Sequence, residues 1–162
     1  MTDEATSIDP AVIERLLGRA MLGDAPLTRV ILAPFTGEPL YSLPLSGAPE
    51  VQRAVELART AQVDWAARSV RERCRIVLAF HDLVLKRRDT ALDIVQLETG
   101  KARRDALEEL LDVLVTARHY ARDARRLLRT TRHRGVFPLM VGVQELHHPR
   151  GLVGVLAPWN YP

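Results

Sequence analysis

One cysteine, Cys74, is the entire thiol content of this 162-residue chain. A single thiol excludes an internal disulfide framework and a cysteine-cluster metal site, and it fits a reducing compartment, the cytoplasm. The first twenty residues lack a basic leader and a long apolar run, and they open on the acids Asp3 and Glu4, so neither a signal peptide nor a membrane anchor is indicated. No later segment approaches the roughly 18 uninterrupted apolar residues of a spanning helix. Charge of one sign is also in short supply: 23 Lys and Arg against 20 Asp and Glu leave a net charge of +3, too small an imbalance to name a nucleic acid or a membrane as partner. Internal repeats and low-complexity stretches are absent. What remains, 47% hydrophobic and 27% charged residues, is a globular composition with apolar side chains for one modest core.

Periodicity divides the chain. Asp9 and Pro10 look like an N-cap and first helical position, followed by a short apolar face through Val12, Ile13, Leu16, Leu17, Ala20 and Met21 that stops at Gly23. Thr28 to Ala33 and Pro39 to Leu45 read as a hairpin around Pro34, Phe35, Thr36, Gly37 and Glu38, with Pro39 and Pro44 favouring an edge for its second strand. A helix opens near Pro49 and Glu50. Ser69 and Glu72 have capping-box spacing for the next one, whose apolar residues from Val70 to Leu85 nearly encircle it and call for burial between layers. Asp89 is placed to cap a third helix ending at Gly100. The longest helix resumes after Lys101, on the order of 40 Å long, with a basic tail expected to run to Gly135. Val136 to Leu146 is β-rich, and Leu152 to Ala157 is a continuous apolar strand between Gly151 and Pro158. A strand apolar on both faces needs neighbours on both sides, and no such neighbours follow in this sequence, so the architecture reads as a fragment or as one that needs another chain.

The chemically most specific segment is PRGLVGVLAPWNYP, from Pro149 to Pro162. Open α/β sheets place ligands at the carboxyl ends of their strands, where Asn160 could present two N–H donors to an oxygen gaining negative charge. Asn160 bonding only its own turn backbone is the structural alternative.

The run GLVGVLAPWNYP resembles the strand and loop that open the cofactor domain of the aldehyde dehydrogenase superfamily. Upstream marks agree in order and spacing: Thr36, Gly37 and Glu38 in the hairpin turn; Ala54, Val55, Ala58, Arg59, Ala61, Gln62, Trp65 and Ala66 on the following helix; Arg71 and Arg73 after the cap; and Glu98, Thr99, Gly100 and Lys101 between helices. The resemblance covers the chain from about Thr28 onward. It implies an α/β, aldehyde dehydrogenase-like fold of N-terminal helices plus a hairpin, oligomerisation strands and only the first strand of a Rossmann-like cofactor domain. In those terms residues 1–135 are the N-terminal helical part with the hairpin at about 28–45, residues 136–149 an oligomerisation β segment, and residues 150–162 the first strand and PWN loop.

Function follows from the resemblance in the same way. Asn160 would stabilise the oxyanion, Leu156, Ala157, Pro158 and Trp159 would line the cofactor cleft, and Tyr161 would face the substrate tunnel. The implied reaction oxidises an aldehyde with NAD or NADP through a Cys thiohemiacetal and a thioester that water hydrolyses. The short acidic N-terminus, the FTGEPL hairpin and the WNYP loop look most like bacterial succinate-semialdehyde dehydrogenases, which make succinate. The family's nucleophile, general-base Glu and glycine-rich cofactor loop follow the PWN block, so this chain by itself is expected to be inactive, and Cys74, well upstream, reads as a small buried apolar residue. The intact protein is expected to be a homo-oligomer acting on a small aldehyde, with no nucleic-acid, membrane or metal partner. His147 and His148, adjacent on an extended segment, point apart and make a poor metal pair.

A reading from a different class stays open on the residues alone. Arg118, Arg122, Arg125, Arg126, Arg129, Arg132 and Arg134 form a basic tract, which a non-catalytic helical interaction module could use to bind a protein or nucleic acid. Their interleaved apolar residues follow helical spacing and offer no stacking platform, which favours a solvated face or subunit contact.

Overall fold

A computed structural model describes residues 8–22, 27–137, 140–158 and 160–161. Helix α1 (Pro10–Leu17) starts where the sequence places it: the Asp9 carboxylate accepts from the Ala11 N–H at 2.9 Å, and Pro10 stands in the first turn. It closes at Gly18, earlier than the apolar spacing to Met21 implies. Arg19 and Ala20 donate instead to the carbonyls of Leu16 and Leu17, three residues back, which tightens the end into a 3₁₀ turn. Gly23, the expected stop, lies outside the described residues.

Strands β1 (Thr28–Leu32) and β2 (Pro39–Pro44) pair antiparallel, Ile31 opposite Tyr41, with a bulge between Ile31 and Leu32. Their turn uses Gly37 at φ +72°, and the Thr36 hydroxyl accepts from the Glu38 N–H. Pro39 and Pro44 stand at the two ends of β2, and in a two-stranded sheet each strand is an edge, so their missing donors cost little.

Helix α2 (Ala48–Ala67) is capped by Glu50, whose carboxylate accepts from the Gly47 N–H at 2.7 Å. Helix α3 (Val70–Lys86) has the reciprocal box the sequence announces: Glu72 N–H donates to the Ser69 hydroxyl at 3.2 Å and Ser69 N–H to the Glu72 carboxylate at 2.8 Å. Helix α4 (Arg88–Thr99) differs from expectation at its start. Arg87 is the cap residue and Asp89 sits inside the first turn, where its charge faces the positive helix end and approaches Arg103. Only Arg87 separates α3 from α4, which leaves no room for a capping Asp89. Helix α5 (Arg103–Leu127), 25 residues and about 38 Å long, ends well before Gly135. The expected basic tail is instead strand β3 (Thr131–Arg134), paired antiparallel with β4 (Gly142–Glu145), so the arginine tract is divided between a helix and a strand. Ladder bonds to a segment about ten residues on outweigh continuation of the helix, and the side chains then alternate between faces.

Helices α3 and α4 pack against α5. Leu92 and Leu97 of α4 and Ala106, Leu114 and Ala121 of α5 are buried, as are Ile13 and Ala33. The alanines let backbones approach closely. The burial expected all round α3 is not found: none of its residues is fully buried, and Phe80 is 49% exposed. α5 covers one side of it, and no second layer lies on the other among the described residues. The accessible surface totals 13292 Å², whereas a compact monomer of this mass exposes about 8,100 Å². Exposed apolar side chains stand on the helices, such as Phe80 and Val115, and after β4, such as Val155 and Leu156.

That segment supplies a further correction. Leu152 to Ala157, apolar throughout, carries no strand pairing, and Leu156 is 98% exposed. A strand exists through a neighbour's N–H and C=O groups, and each described sheet here is a closed pair, β1 with β2 and β3 with β4. No helix among the described residues is long and apolar enough to cross a membrane.

Candidate active site

The segment between α4 and α5 organises the site. Helix α4 stops at Gly100 in the left-handed region, φ +75°. Only glycine enters that region without strain, and here it also makes room: a Cβ at residue 100 would stand 3.2 Å from Pro34 Cβ in the hairpin turn. The Thr99 hydroxyl donates to the Val95 carbonyl and accepts from the Lys101 N–H, which fixes the course of the chain through the glycine. One residue earlier, Glu98 accepts from the Tyr41 hydroxyl of β2 at 2.5 Å. Burial first, and then this bond to a carboxylate, push the Tyr41 phenol well above its usual range. Glu98 and Gly100 thus fasten the hairpin to the helix end, and Lys101 is left pointing the other way.

Lys101 reaches two groups. Its ammonium pairs with Glu109, about two turns into α5, and donates to the main-chain carbonyl of Asn160 at 2.5 Å. It also stands 5.6 Å from the centre of the Tyr161 ring, within cation–π range. Glu109 is 8% exposed, and its Oε2 is buried without a hydrogen-bond partner among the described residues. A carboxylate so placed depends on its one counter-charge, because burying it alone would be costly. The Tyr161 hydroxyl donates to Asp112, further along α5, at 2.5 Å, and that carboxylate bond is the main reason its phenol is raised. Tyr161 N–H donates to the Pro158 carbonyl at 3.3 Å, closing the turn that carries Asn160.

The sequence-nominated residues fall into three groups. Asn160 and Tyr161 are brought together on the α4–α5 junction. Leu156, Ala157 and Pro158 are exposed on the approach to it. Trp159 lies outside the described residues. The bond recorded at Asn160 engages its carbonyl, and its exposed side chain carries two N–H donors at the tip of the turn. Cys74 is elsewhere, on α3, half-buried beside a 220 Å³ cavity that Trp65, Val77 and Tyr120 also line. The junction therefore offers an amide donor without a nucleophile.

Lys101, Glu109 and Asp112 were not singled out from the sequence as site residues. A signal for Glu109 was there: it falls between Ala106 and Val113 on the apolar face of α5, where a charge demands a partner. Nothing in the spacing says that the partner would be the residue after a helix-stopping glycine.

Residues 24–162 match the model of the aldehyde dehydrogenase family. A Mycolicibacterium smegmatis protein, provisionally named succinate-semialdehyde dehydrogenase (NADP+), is 48% identical over 139 residues, which are 86% of this chain and 27% of that protein. The crystal structure of succinate-semialdehyde dehydrogenase from Burkholderia pseudomallei superposes with a TM-score of 0.69 at 26% identity, covering 82% of this chain and 28% of that one. An NADP-dependent glyceraldehyde-3-phosphate dehydrogenase from Bacillus halodurans, solved with NADP, gives 0.65 at 28% identity over 71% of this chain and 24% of that one. The chain thus spans under a third of the length of these relatives. The shared sequence and the shared arrangement of helices and small sheets lead to one conclusion: the chain belongs to the aldehyde dehydrogenase family.

Proposed function

We propose that these residues supply the oxyanion donor and one wall of the cofactor cleft to an NAD(P)+-dependent dehydrogenase that oxidises succinate semialdehyde to succinate. The observation that carries this reading is the 48% identity over 139 residues to the Mycolicibacterium smegmatis relative, beside a family match over residues 24–162 that includes the loop presenting Asn160. The helical part with its hairpin runs to about residue 130, because β3 pairs with β4 across the boundary expected at residue 135; the β3–β4 pair belongs with the oligomerisation segment, and residues 150–162 are the opening of the cofactor domain. The intact protein is a cytoplasmic homo-oligomer, consistent with the reducing conditions a catalytic thiol requires.

In this reading the Asn160 carboxamide donates to the aldehyde oxygen as a thiolate adds to the carbonyl carbon and negative charge collects on that oxygen. Leu156, Ala157, Pro158 and Trp159 would line the cofactor cleft. The described three are exposed and apolar, which suits contact with a cofactor ring. The cofactor's contribution is to accept hydride. Tyr161, fixed through Asp112, borders the substrate tunnel. The nucleophile and the general base come from beyond these residues, and the isolated chain is inactive.

A chimera tests the proposal: this chain replaces the matching segment of the Mycolicibacterium smegmatis relative, and NADP+ reduction with succinate semialdehyde is followed by absorbance. The chimera should turn over, and Asn160→Ala should lower kcat by roughly a hundred- to a thousandfold. A folded, active chimera that is indifferent to Asn160→Ala would overturn the role of Asn160. A folded chimera that oxidises other aldehydes but not succinate semialdehyde would overturn the substrate.

A further inference from the structure

We propose that Lys101 is the positioning residue for Asn160: its ammonium, tethered by the buried carboxylate of Glu109, grips the Asn160 main-chain carbonyl and thereby sets the direction of the carboxamide. The catalytic meaning of this placement rests on the function proposed above, whereas the placement itself stands on geometry.

Several observations converge. Residues 151–158 pair with no strand among the described residues, so in this structure polar side-chain contacts tie the Asn160 turn to the helices. Among the described residues two polar contacts tie it to the helices, Lys101 to the Asn160 carbonyl and Tyr161 to Asp112. The first engages the residue that carries the amide. Lys101 is itself constrained on both sides: its backbone follows the left-handed Gly100, and its side chain, 22% exposed, faces a Glu109 side chain that is 11% exposed. An ammonium has three donors. One goes to Glu109, one to Asn160, and the ring of Tyr161 accepts the charge from the side. Glu109 has no other counter-charge among the recorded ion pairs, so it cannot release the lysine cheaply.

Gripping the carbonyl rather than the side chain is what a positioning role requires. An ammonium only donates, so on the carboxamide it could engage only Oδ1 and would tie down the side chain itself. A bond to the main-chain carbonyl of Asn160 itself leaves the whole carboxamide free and still restricts the peptide plane beside the side chain. Displacement of a donor by even 1 Å weakens stabilisation of a developing charge severely.

Two measurements test the inference, and they fail independently. Asn160 is the only asparagine in the sequence, so selective ¹⁵N-asparagine labelling of this chain gives one backbone amide and one carboxamide pair. Lys101→Met should shift and broaden these signals, and Lys101→Arg, which keeps a charged donor, should largely restore them. Signals unchanged in Lys101→Met, with the helical circular dichroism intact, would refute the contact whatever the protein's activity. In the chimera, Lys101→Met should lower kcat about ten- to a hundredfold with little change in KM for the aldehyde, and Lys101→Arg should recover most of the loss. Placed on the Asn160→Ala background, Lys101→Met should cost almost nothing further, because its effect passes through the missing carboxamide. A full additional loss there would show that Lys101 acts through general stability and would overturn the positioning role. If the chimera is inactive while the labelled chain responds as expected, the proposed function fails and the contact survives.

Discussion

Replacing Gly100 by alanine separates two physical effects that the structure joins at one residue. A left-handed conformation costs an L-residue about 1–2 kcal/mol, and Gly100 sits at φ +75°. Its added Cβ would also stand 3.2 Å from Pro34 Cβ and 3.5 Å from Pro34 Cγ. Pro34 has little freedom to retreat: its ring is rigid, and the preceding Ala33 is buried at 3% exposure. Gly37 provides the control, since its φ of +72° is nearly the same and its Cβ would meet nothing within 4 Å. Gly37→Ala should therefore cost the conformational penalty alone, about 1–2 kcal/mol, and Gly100→Ala that penalty plus about 1 kcal/mol or more for overpacking. Urea unfolding followed by circular dichroism gives both values from the shift in midpoint at constant m. Amide exchange at Gly37, whose N–H bonds the Ala33 carbonyl, reports whether the hairpin turn is disturbed from the helix side. Equal losses in the two variants would refute the idea that close approach to Pro34, and not only backbone handedness, dictates glycine at position 100.

Ser69→Ala should remove the side-chain half of the cap on α3 and cost about 1 kcal/mol, read from the same unfolding midpoint. Bonds from Ser69 hold the Glu72 carboxyl below its usual range, so its contribution is present above the unfolded carboxyl pKa and is lost as pH falls through the lower folded value. Ser69→Ala should flatten that acid limb, and an unchanged limb would count against the capping account. At the other end of the scale, the raised Tyr41 phenol contributes stability below its unfolded pKa near 10, lost as pH climbs from there toward the folded value. Tyr41→Phe should lower the melting temperature at neutral pH and reduce its alkaline decline, whereas an identical decline would assign the loss to other groups.

Features fixed by short-range chemistry were legible in the sequence. Ser69 with Glu72, Asp9 with Pro10, and the Thr36–Gly37–Glu38 turn all appear where residue type alone puts them, because each acts within about four residues. Strand β3 was read as a helix tail because its arginines suit an exposed helix face, and what decides the matter, pairing with β4, involves residues about ten positions away. The apolar run at 152–157 has the composition of a strand but forms none here, because pairing is a property of two segments and no second segment lies beside it among the described residues. At the site, Asn160 is nominated by family resemblance, not by any spacing of residues. Lys101 was visible only as part of a motif, since its role arises from a contact spanning 59 residues of sequence.

That span has a consequence for the order in which the molecule is made. Both recorded anchors of the Asn160 loop, Lys101 and Asp112, precede it in the chain, by 59 and 49 residues. At a synthesis rate of roughly 5–20 residues per second, the lysine leaves the ribosome about 3–12 seconds ahead of the loop it will hold. Helix formation takes on the order of a microsecond or less, so α4 and α5 have ample time to form before Asn160 appears. The loop arrives at a surface already waiting for it, and the position of its amide is inherited from what was translated earlier.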